Sequence, residues 1–173
     1  MNAPKIPNLG LHILVVMDNC ESGIDMLEYM TQKLPDIHKR HFTLIHCIPP
    51  VFWEHGGNGS PRECERMWQL TNREFRRTDR YFRRACDVLR AAGVPAEQID
   101  IVTAVDAHDT RSAVLRELRQ SGLYTGVILS HLHSDLAALL TGRSMFSLFL
   151  RYRPRVTVWE IGEIERKHMA AAR

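Results

Sequence analysis

The sequence contains no long apolar run. Among its 173 residues no stretch reaches the roughly 18 to 20 apolar residues that a membrane-spanning helix requires. The first ten residues, MNAPKIPNLG, hold too few apolar side chains for a signal peptide. We therefore expect a cytoplasmic protein with no membrane partner.

Cysteines are few and widely spaced. Cys20, Cys47, Cys64 and Cys86 lie 27, 17 and 22 residues apart, which matches neither a CxxC redox pair nor the paired spacing of a structural zinc site. We expect four reduced thiols. The formal net charge is only +3, so a basic surface has to come from local clustering of arginines.

Catalytic signatures are also missing. The sequence has no G-x-S-x-G nucleophile motif and no lysine in a phosphate-binding loop. The G-x-G-x-x-G dinucleotide fingerprint is absent as well, because the first strand is followed by DNCESG, which has a single glycine. We therefore predict no catalytic residues and no enzymatic activity.

Short apolar runs do alternate with helical patterns. Five strands are predicted over residues 11–17, 42–48, 99–104, 126–131 and 155–161. Four helices are predicted over about 22–34, 61–92 and 110–120, and from the residue after Gly142 to about Tyr152. Parallel strands need such crossover helices, so the pattern predicts an α/β fold: an open five-stranded parallel sheet with helices on both faces, Rossmann-like. We expect one domain over residues 1–173, with a core at about 9–161, loose termini and a mobile loop at about 53–61.

Ligands of such sheets gather at the carboxyl ends of the strands, beside the topological switch point. The first predicted strand ends at Met17-Asp18-Asn19, and the fourth ends at Ser130-His131-Leu132. These two ends are the candidate binding region.

Three segments carry a family resemblance: VVMDN, LIHCIPP and GVILSHLHSDLAALLTGRSMFSLFLRYRPRVTVWE. Together with the order of elements, they resemble the universal stress protein family over roughly residues 9–161. The nucleotide-binding branch of that family has G-x2-G-x9-G-[S/T] in the last segment, with the first glycine pair in a Gly-Ser-His-Gly turn. Here Leu129 and Leu132 occupy the first two glycine positions, Gly142 occupies the third, and Arg143 precedes Ser144.

The resemblance implies a nucleotide cleft formed by six residues: Asp18, Ser130, His131, Gly142, Arg143 and Ser144. Glycines let backbone N–H groups approach phosphate oxygens closely, whereas a leucine places a branched side chain in that space. We therefore expect a degenerate cleft with no cofactor. ATP or another adenine nucleotide, with at most slow ATP hydrolysis, is the alternative. Two further alternatives stay open: Gly142 and Ser144 acting only as helix caps, and Asp18 binding backbone N–H groups of its own turn.

The two histidines of the turn suggest another possibility. His131 and His133 lie two residues apart, and Asp106, His108 or Asp109 could approach from a neighbouring loop to complete a metal site. Because the Ser-His turn of the family accounts for His131, we predict no metal.

The long predicted helix is amphipathic. Its apolar side is predicted to carry Cys64, Met67, Trp68, Thr71, Phe75, Phe82, Cys86 and Leu89, and the opposite stripe Arg62, Arg66, Arg73, Arg77, Arg80 and Arg84. Such a stripe could bind nucleic acid or an acidic partner, or it could be a solvated face with pairs such as Glu74 to Arg77. Because the aromatic residues are assigned to the other side, we do not expect nucleic acid as a partner.

The last predicted strand, Arg155–Ile161, alternates apolar and polar residues. As an edge strand it would offer free N–H and C=O groups to a second copy of the chain, and the family resemblance implies pairing through it. We expect a homodimer that performs a stress-response or signalling role through an unidentified protein partner. The alternative is a monomer, in which Arg155 and Glu160 keep this edge strand from pairing with a second copy.

Overall fold

The computed structural model of the chain describes residues 7–18, 20–48, 60–105, 107, 109–141 and 155–162. The strands are β1 (His12–Val16), β2 (His41–Cys47), β3 (Ile99–Ala104), β4 (Gly126–Ser130) and β5 (Thr157–Ile161). The helices are α1 (Glu21–Lys33), α2 (Pro61–Ala91), α3 (Thr110–Ser121) and α4 (Ser134–Leu140), with short 3₁₀ helices at Ile37–Lys39, Ala96–Gln98 and His131–His133.

The five strands form one parallel sheet in the order β3-β2-β1-β4-β5. The predicted α/β fold class is therefore confirmed, and the predicted bounds of the strands and the first three helices hold to within two residues. From β1 the chain extends the sheet first toward β2 and β3, and then on the other side toward β4 and β5. The topological switch point thus lies between β1 and β4.

The central strand β1 separates two apolar layers. Its residues alternate because successive side chains of a strand point to opposite faces: Ile13 and Val15 pack with α1 and α2, whereas Leu14 and Val16 pack with α3 and α4. All four are fully buried. The same alternation in β4 sends Leu129 to the α3–α4 side.

Helix α2 is much longer than the sheet it covers. Its 31 residues span about 46 Å at 1.5 Å per residue, whereas the seven residues of β2 span about 23 Å. The Ser60 hydroxyl caps its first turn by accepting from the backbone N–H of Glu63 at 3.4 Å, and Pro61 occupies the first helical position. The strands are therefore too short to cover the whole length of α2.

The burial of side chains differs between the two halves of α2. Between residues 78 and 91 the helix buries five side chains, Thr78, Phe82, Ala85, Cys86 and Leu89, whereas between 61 and 77 it buries only Met67. The expectation that Cys64, Trp68 and Phe75 face inward is wrong. Cys64 is exposed, Trp68 is 68% exposed and Phe75 is 40% exposed.

Several sequence-based expectations lie outside the described residues. These are the loop at 53–59, the helix from Gly142 to Tyr152 and the tail from residue 163. In the part of the chain that the structure describes, no helix is both long enough and apolar enough to cross a membrane. None of the four cysteines, all of which are described, forms a disulfide, and Cys47 and Cys86 are buried.

Candidate functional site

The carboxyl ends of β1 and β4 meet at the switch point. The two strands are neighbours in register, with Val15 opposite Ile128. Asp18 follows β1 by two residues, and Ser130 is the last residue of β4. Because the strands are parallel and adjacent, both side chains reach the same end of the sheet, as the sequence predicts.

Two side chains bind the Asp18 carboxylate. The Ser130 hydroxyl donates to Oδ2 at 2.6 Å, and His133 Nε2 lies 2.5 Å from Oδ1. The Ser130 residue is fully buried, and the side chains of Asp18 and His133 are 6% and 20% exposed. Hydrogen bonds to an ionised group are stronger than those between neutral groups. Asp18, Ser130 and His133, which we call the switch-point triad, therefore form a nearly buried unit linking β1 to the segment after β4.

His46 lies beside this triad. It is the sixth residue of β2, and its Nδ1 is 3.1 Å from the carbonyl oxygen of Met17. Burial lowers the pKa of His46, while the Met17 carbonyl and the Asp18 carboxylate act against that shift. The imidazole therefore favours the neutral form more than a solvated histidine does.

Tyr81 of α2 also lies near Asp18. Burial raises the pKa of its phenol, and Cys20 and Asp18 lie near enough to add to the shift. The hydroxyl oxygen is buried and approaches the Cys20 backbone without forming a hydrogen bond of good geometry. It also lies against Gly23 of α1, where the Cβ of any larger residue would stand 2.1 Å from it. Tyr81 thus contacts α1 only because residue 23 has no side chain.

The expected steric block by the two leucines is wrong for Leu129. This side chain is fully buried in the α3–α4 core, on the face of β4 opposite to Ser130, and it does not enter the space near Asp18. Leu132 is 60% exposed in the 3₁₀ helix at His131–His133. Neither leucine has a positive φ, since Asp36 is the only described non-glycine residue that does. A 3₁₀ helix, which leucine tolerates, therefore takes the place of a glycine-type turn.

The remaining predicted site residues stay predictions. Gly142, Arg143 and Ser144 lie outside the described residues, and His131 is described only in its backbone, within the 3₁₀ helix. Asp106 and His108 also lie outside the description, while Asp109 caps α3 by accepting from the Ser112 backbone N–H at 2.6 Å. Within the described ranges, no group of three histidine, cysteine, aspartate or glutamate side chains could hold a metal ion.

Sequence reasoning misses three members of this region. It considers His133 only as a metal ligand, and it assigns neither His46 nor Tyr81 to the cleft. A signal exists for His46, because it is a polar residue near the carboxyl end of an otherwise buried strand. No comparable signal marks Tyr81, whose position depends on the packing of α2 against α1.

Two comparisons with known proteins find no match, and a third finds a similar fold. No protein-family model matches the sequence, and no curated protein matches it. Among solved structures, a crystal structure of a universal stress protein in complex with cAMP is similar in fold over 89% of this chain and 98% of the other. The TM-score is 0.49 and the sequence identity 14%.

Proposed function

We propose that this chain is a universal stress protein-like domain without enzymatic activity, whose cleft is closed to nucleoside triphosphates. Its role in a cytoplasmic stress response is exercised as a homodimer through a protein partner. The switch-point triad supports this proposal most directly. Both Asp18 oxygens already have side-chain partners, at 2.6 Å from Ser130 and 2.5 Å from His133.

The Asp18 carboxylate is already hydrogen-bonded within the protein, so a ligand that binds it meets an energetic cost. A ligand that binds Asp18 has to replace two short hydrogen bonds, and breaking them leaves the Ser130 hydroxyl without its acceptor in a fully buried position. A buried polar group without a partner costs about 1–3 kcal/mol. The 3₁₀ helix adds to this barrier, since its compact turn replaces the open glycine cradle that phosphates require.

The alternative is an adenine-nucleotide-binding protein with at most slow ATP hydrolysis. One observation favours it: the triad places a carboxylate, a hydroxyl and an imidazole together at the switch point, where parallel sheets bind their ligands. In that case the triad is a preformed polar site whose internal bonds open when a nucleotide enters.

Calorimetric titration and thermal-shift assays with ATP, ADP, AMP and cAMP, with and without magnesium, separate the two functions. We expect the parent protein to show no binding. A ligand present at 100 times its dissociation constant adds about 2.7 kcal/mol to the free energy of unfolding, so a bound nucleotide is readily detected. Tight binding of any of the four by the parent protein contradicts the proposal and supports the alternative.

Variants of exposed leucines show whether the turn itself is the barrier. Leu132→Gly gives the 3₁₀ turn the backbone freedom of a glycine, and Leu123→Gly is the matched control, because Leu123 is 64% exposed and precedes β4 at the opposite end of the sheet. We expect a gain of nucleotide binding only in Leu132→Gly. Leu129→Gly is unsuitable, since removing a fully buried side chain leaves a cavity in the core.

The homodimer of the proposal uses the free edge of β5. In the described part of the chain β5 pairs with β4 alone, and the Thr157 backbone N–H donates to the Thr125 carbonyl. The N–H groups of Val158 and Glu160 therefore point away from β4, because hydrogen-bonding direction alternates along a strand. Glu160→Pro removes one outward donor without touching the pairing with β4.

Light scattering after size-exclusion chromatography measures the outcome. We expect a dimer for the parent protein and a monomer for Glu160→Pro. The control is Glu160→Ala, which keeps the backbone N–H and should stay dimeric. A monomeric parent protein, or a Glu160→Pro variant with the mass of a dimer, would show that β5 is not the interface.

A further inference from the structure

Between Trp68 and Arg80, α2 carries a basic surface with an exposed indole. A surface depression of about 290 Å³ is lined by Trp68, Gln69, Asn72, Arg73, Arg76 and Arg80. We call these six residues the arginine–tryptophan surface. Arg76 is not part of the stripe predicted from the sequence, and helical periodicity assigns Trp68 to the buried side of the helix.

The arginines of α2 fall into two groups. Arg77, Arg83, Arg84 and Arg90 each have a carboxylate oxygen within 4.0 Å. In contrast, no carboxylate of the described residues pairs with Arg73, Arg76 or Arg80, although the Nε of Arg80 donates to the Arg76 carbonyl at 3.4 Å. The depression is therefore bordered by three guanidinium groups whose charge no acid in the described part of the chain neutralises.

Trp68 gives this surface its second property. Its side chain is 68% exposed, although a tryptophan is usually largely buried because its ring system is large and apolar. Gln69 and Asn72 flank it with amide groups that both donate and accept hydrogen bonds. An exposed flat ring, unpaired guanidinium groups and amides thus lie within one depression.

We propose that the arginine–tryptophan surface binds single-stranded nucleic acid. Proteins that bind single strands without strong sequence preference combine a basic groove along the backbone with aromatic side chains on which bases stack. Guanidinium groups fit phosphate oxygens in a bidentate geometry. Trp68 supplies the stacking platform, and Arg73, Arg76 and Arg80 supply the phosphate contacts.

Other anionic partners fit this surface less well. An acidic peptide uses the arginines but has no need of an exposed indole. A helix that binds a membrane surface presents a broad apolar face to the lipid, whereas here the solvent side of α2 is dominated by arginines. Duplex nucleic acid keeps its bases stacked on one another, so Trp68 would find no free base face.

Fluorescence anisotropy with labelled oligo(U) and oligo(dT) tests the proposal on the full-length chain. Contacts to three phosphates predict a slope of log K against log salt of about −2, which weakens binding roughly 20-fold between 50 and 200 mM salt. Trp68→Ala should weaken binding roughly 5- to 150-fold, because base–aromatic stacking contributes about 1–3 kcal/mol. Trp68→Phe keeps a ring and should retain more affinity than Trp68→Ala.

A matched pair of triple variants locates the site. Replacing Arg73, Arg76 and Arg80 by glutamine should weaken binding at least tenfold and flatten the salt slope. Replacing Arg83, Arg84 and Arg90 by glutamine removes the same charge from the same helix and should leave the affinity within about twofold of the parent protein. Circular dichroism confirms that each variant is folded before its binding is compared.

Four outcomes of the oligonucleotide measurements would overturn the proposal. They are no binding to either oligonucleotide at low salt, equal loss of affinity in the two triple variants, an unchanged affinity in Trp68→Ala, and tighter binding to a duplex of the same length. Binding to phosphatidylserine vesicles through Arg73, Arg76 and Arg80, without binding to oligonucleotides, would assign the surface to membranes and also reject it.

Discussion

The two halves of α2 have similar composition and different surroundings. Residues 78–91 bury Phe82, Ala85, Cys86 and Leu89 against α1 and the sheet, whereas residues 61–77 bury only Met67. Arg83, Arg84 and Arg90 of the buried half pair with acids, whereas Arg73, Arg76 and Arg80, which line the depression beside Trp68, have no paired acid among the described residues. Helical periodicity determines which residues share a side, and the length of the underlying sheet determines how much of that side is covered.

The largest expected effect compares the two phenylalanines of α2. Phe82 is 2% exposed and Phe75 is 40% exposed. Phe82→Ala should lower the free energy of unfolding by about 3–5 kcal/mol, because it leaves a cavity in the core. Phe75→Ala should lower it by less than about 1 kcal/mol. Urea denaturation measures both values. Similar losses of stability in the two variants would show that the two halves of α2 do not differ in their packing.

The contact between α1 and the buried half of α2 gives the second prediction. Gly23→Ala places a Cβ about 2 Å from the Tyr81 hydroxyl oxygen, so the overpacking should cost about 1–3 kcal/mol despite the better helix propensity of alanine. Adding Tyr81→Phe removes that oxygen and should restore most of the stability. If the double variant is no more stable than Gly23→Ala, the close approach is not the cause of the loss.

The third prediction concerns pH. Burial lowers the pKa of His46 in the folded protein, so at mildly acidic pH the unfolded chain binds more protons than the folded chain. Stability should therefore decrease as the pH falls below about 6.5, the usual histidine pKa, and continue to do so until the lowered folded pKa is passed. His46 stacks edge-on against Phe82 at 6.4 Å, so this effect also belongs to the buried half of α2.

Thermal denaturation between pH 7.5 and 5 measures this dependence. His46→Gln should show a shallower loss of stability than the parent protein across that range. The matched control is His38→Gln, which makes the same replacement at an exposed histidine. A His46→Gln variant with the same pH profile as the parent protein would rule out this histidine as the source.

Much of the fold follows from local sequence patterns. The sequence predicts the bounds of α2 to within one residue, because Pro61 at its start and Gly93 after its end are typical of helix boundaries. The exposure of Trp68 could not be predicted in the same way. Helical periodicity identifies the apolar side of a helix, but it does not show whether other parts of the protein cover that side. The extent of the covering sheet is known only once the strands are assembled.

In the switch-point triad, too, some members can be predicted from the sequence and one cannot. Asp18 and Ser130 follow from the rule that parallel strands present their carboxyl ends at one edge. The part played by His133 requires the 3₁₀ helix after β4, which returns the imidazole to within 2.5 Å of Asp18 Oδ1. Leu129 illustrates the reverse error: its alignment with a glycine position suggests a block, but strand alternation directs its side chain into the core.

The smallest expected effect concerns the ion pair between α1 and α2. The Nη1 of Arg84 and the Oε1 of Glu21 are 2.6 Å apart. The two side chains are 56% and 75% exposed, however, and water and salt screen exposed ion pairs. Glu21→Gln should therefore leave the urea midpoint unchanged within error at low and high salt. Because Gly23→Ala perturbs the same pair of helices through packing, the two variants together show whether apolar contact or charge attaches the buried half of α2. A loss in Glu21→Gln that equals the loss in Gly23→Ala would mean that charge contributes as much as packing.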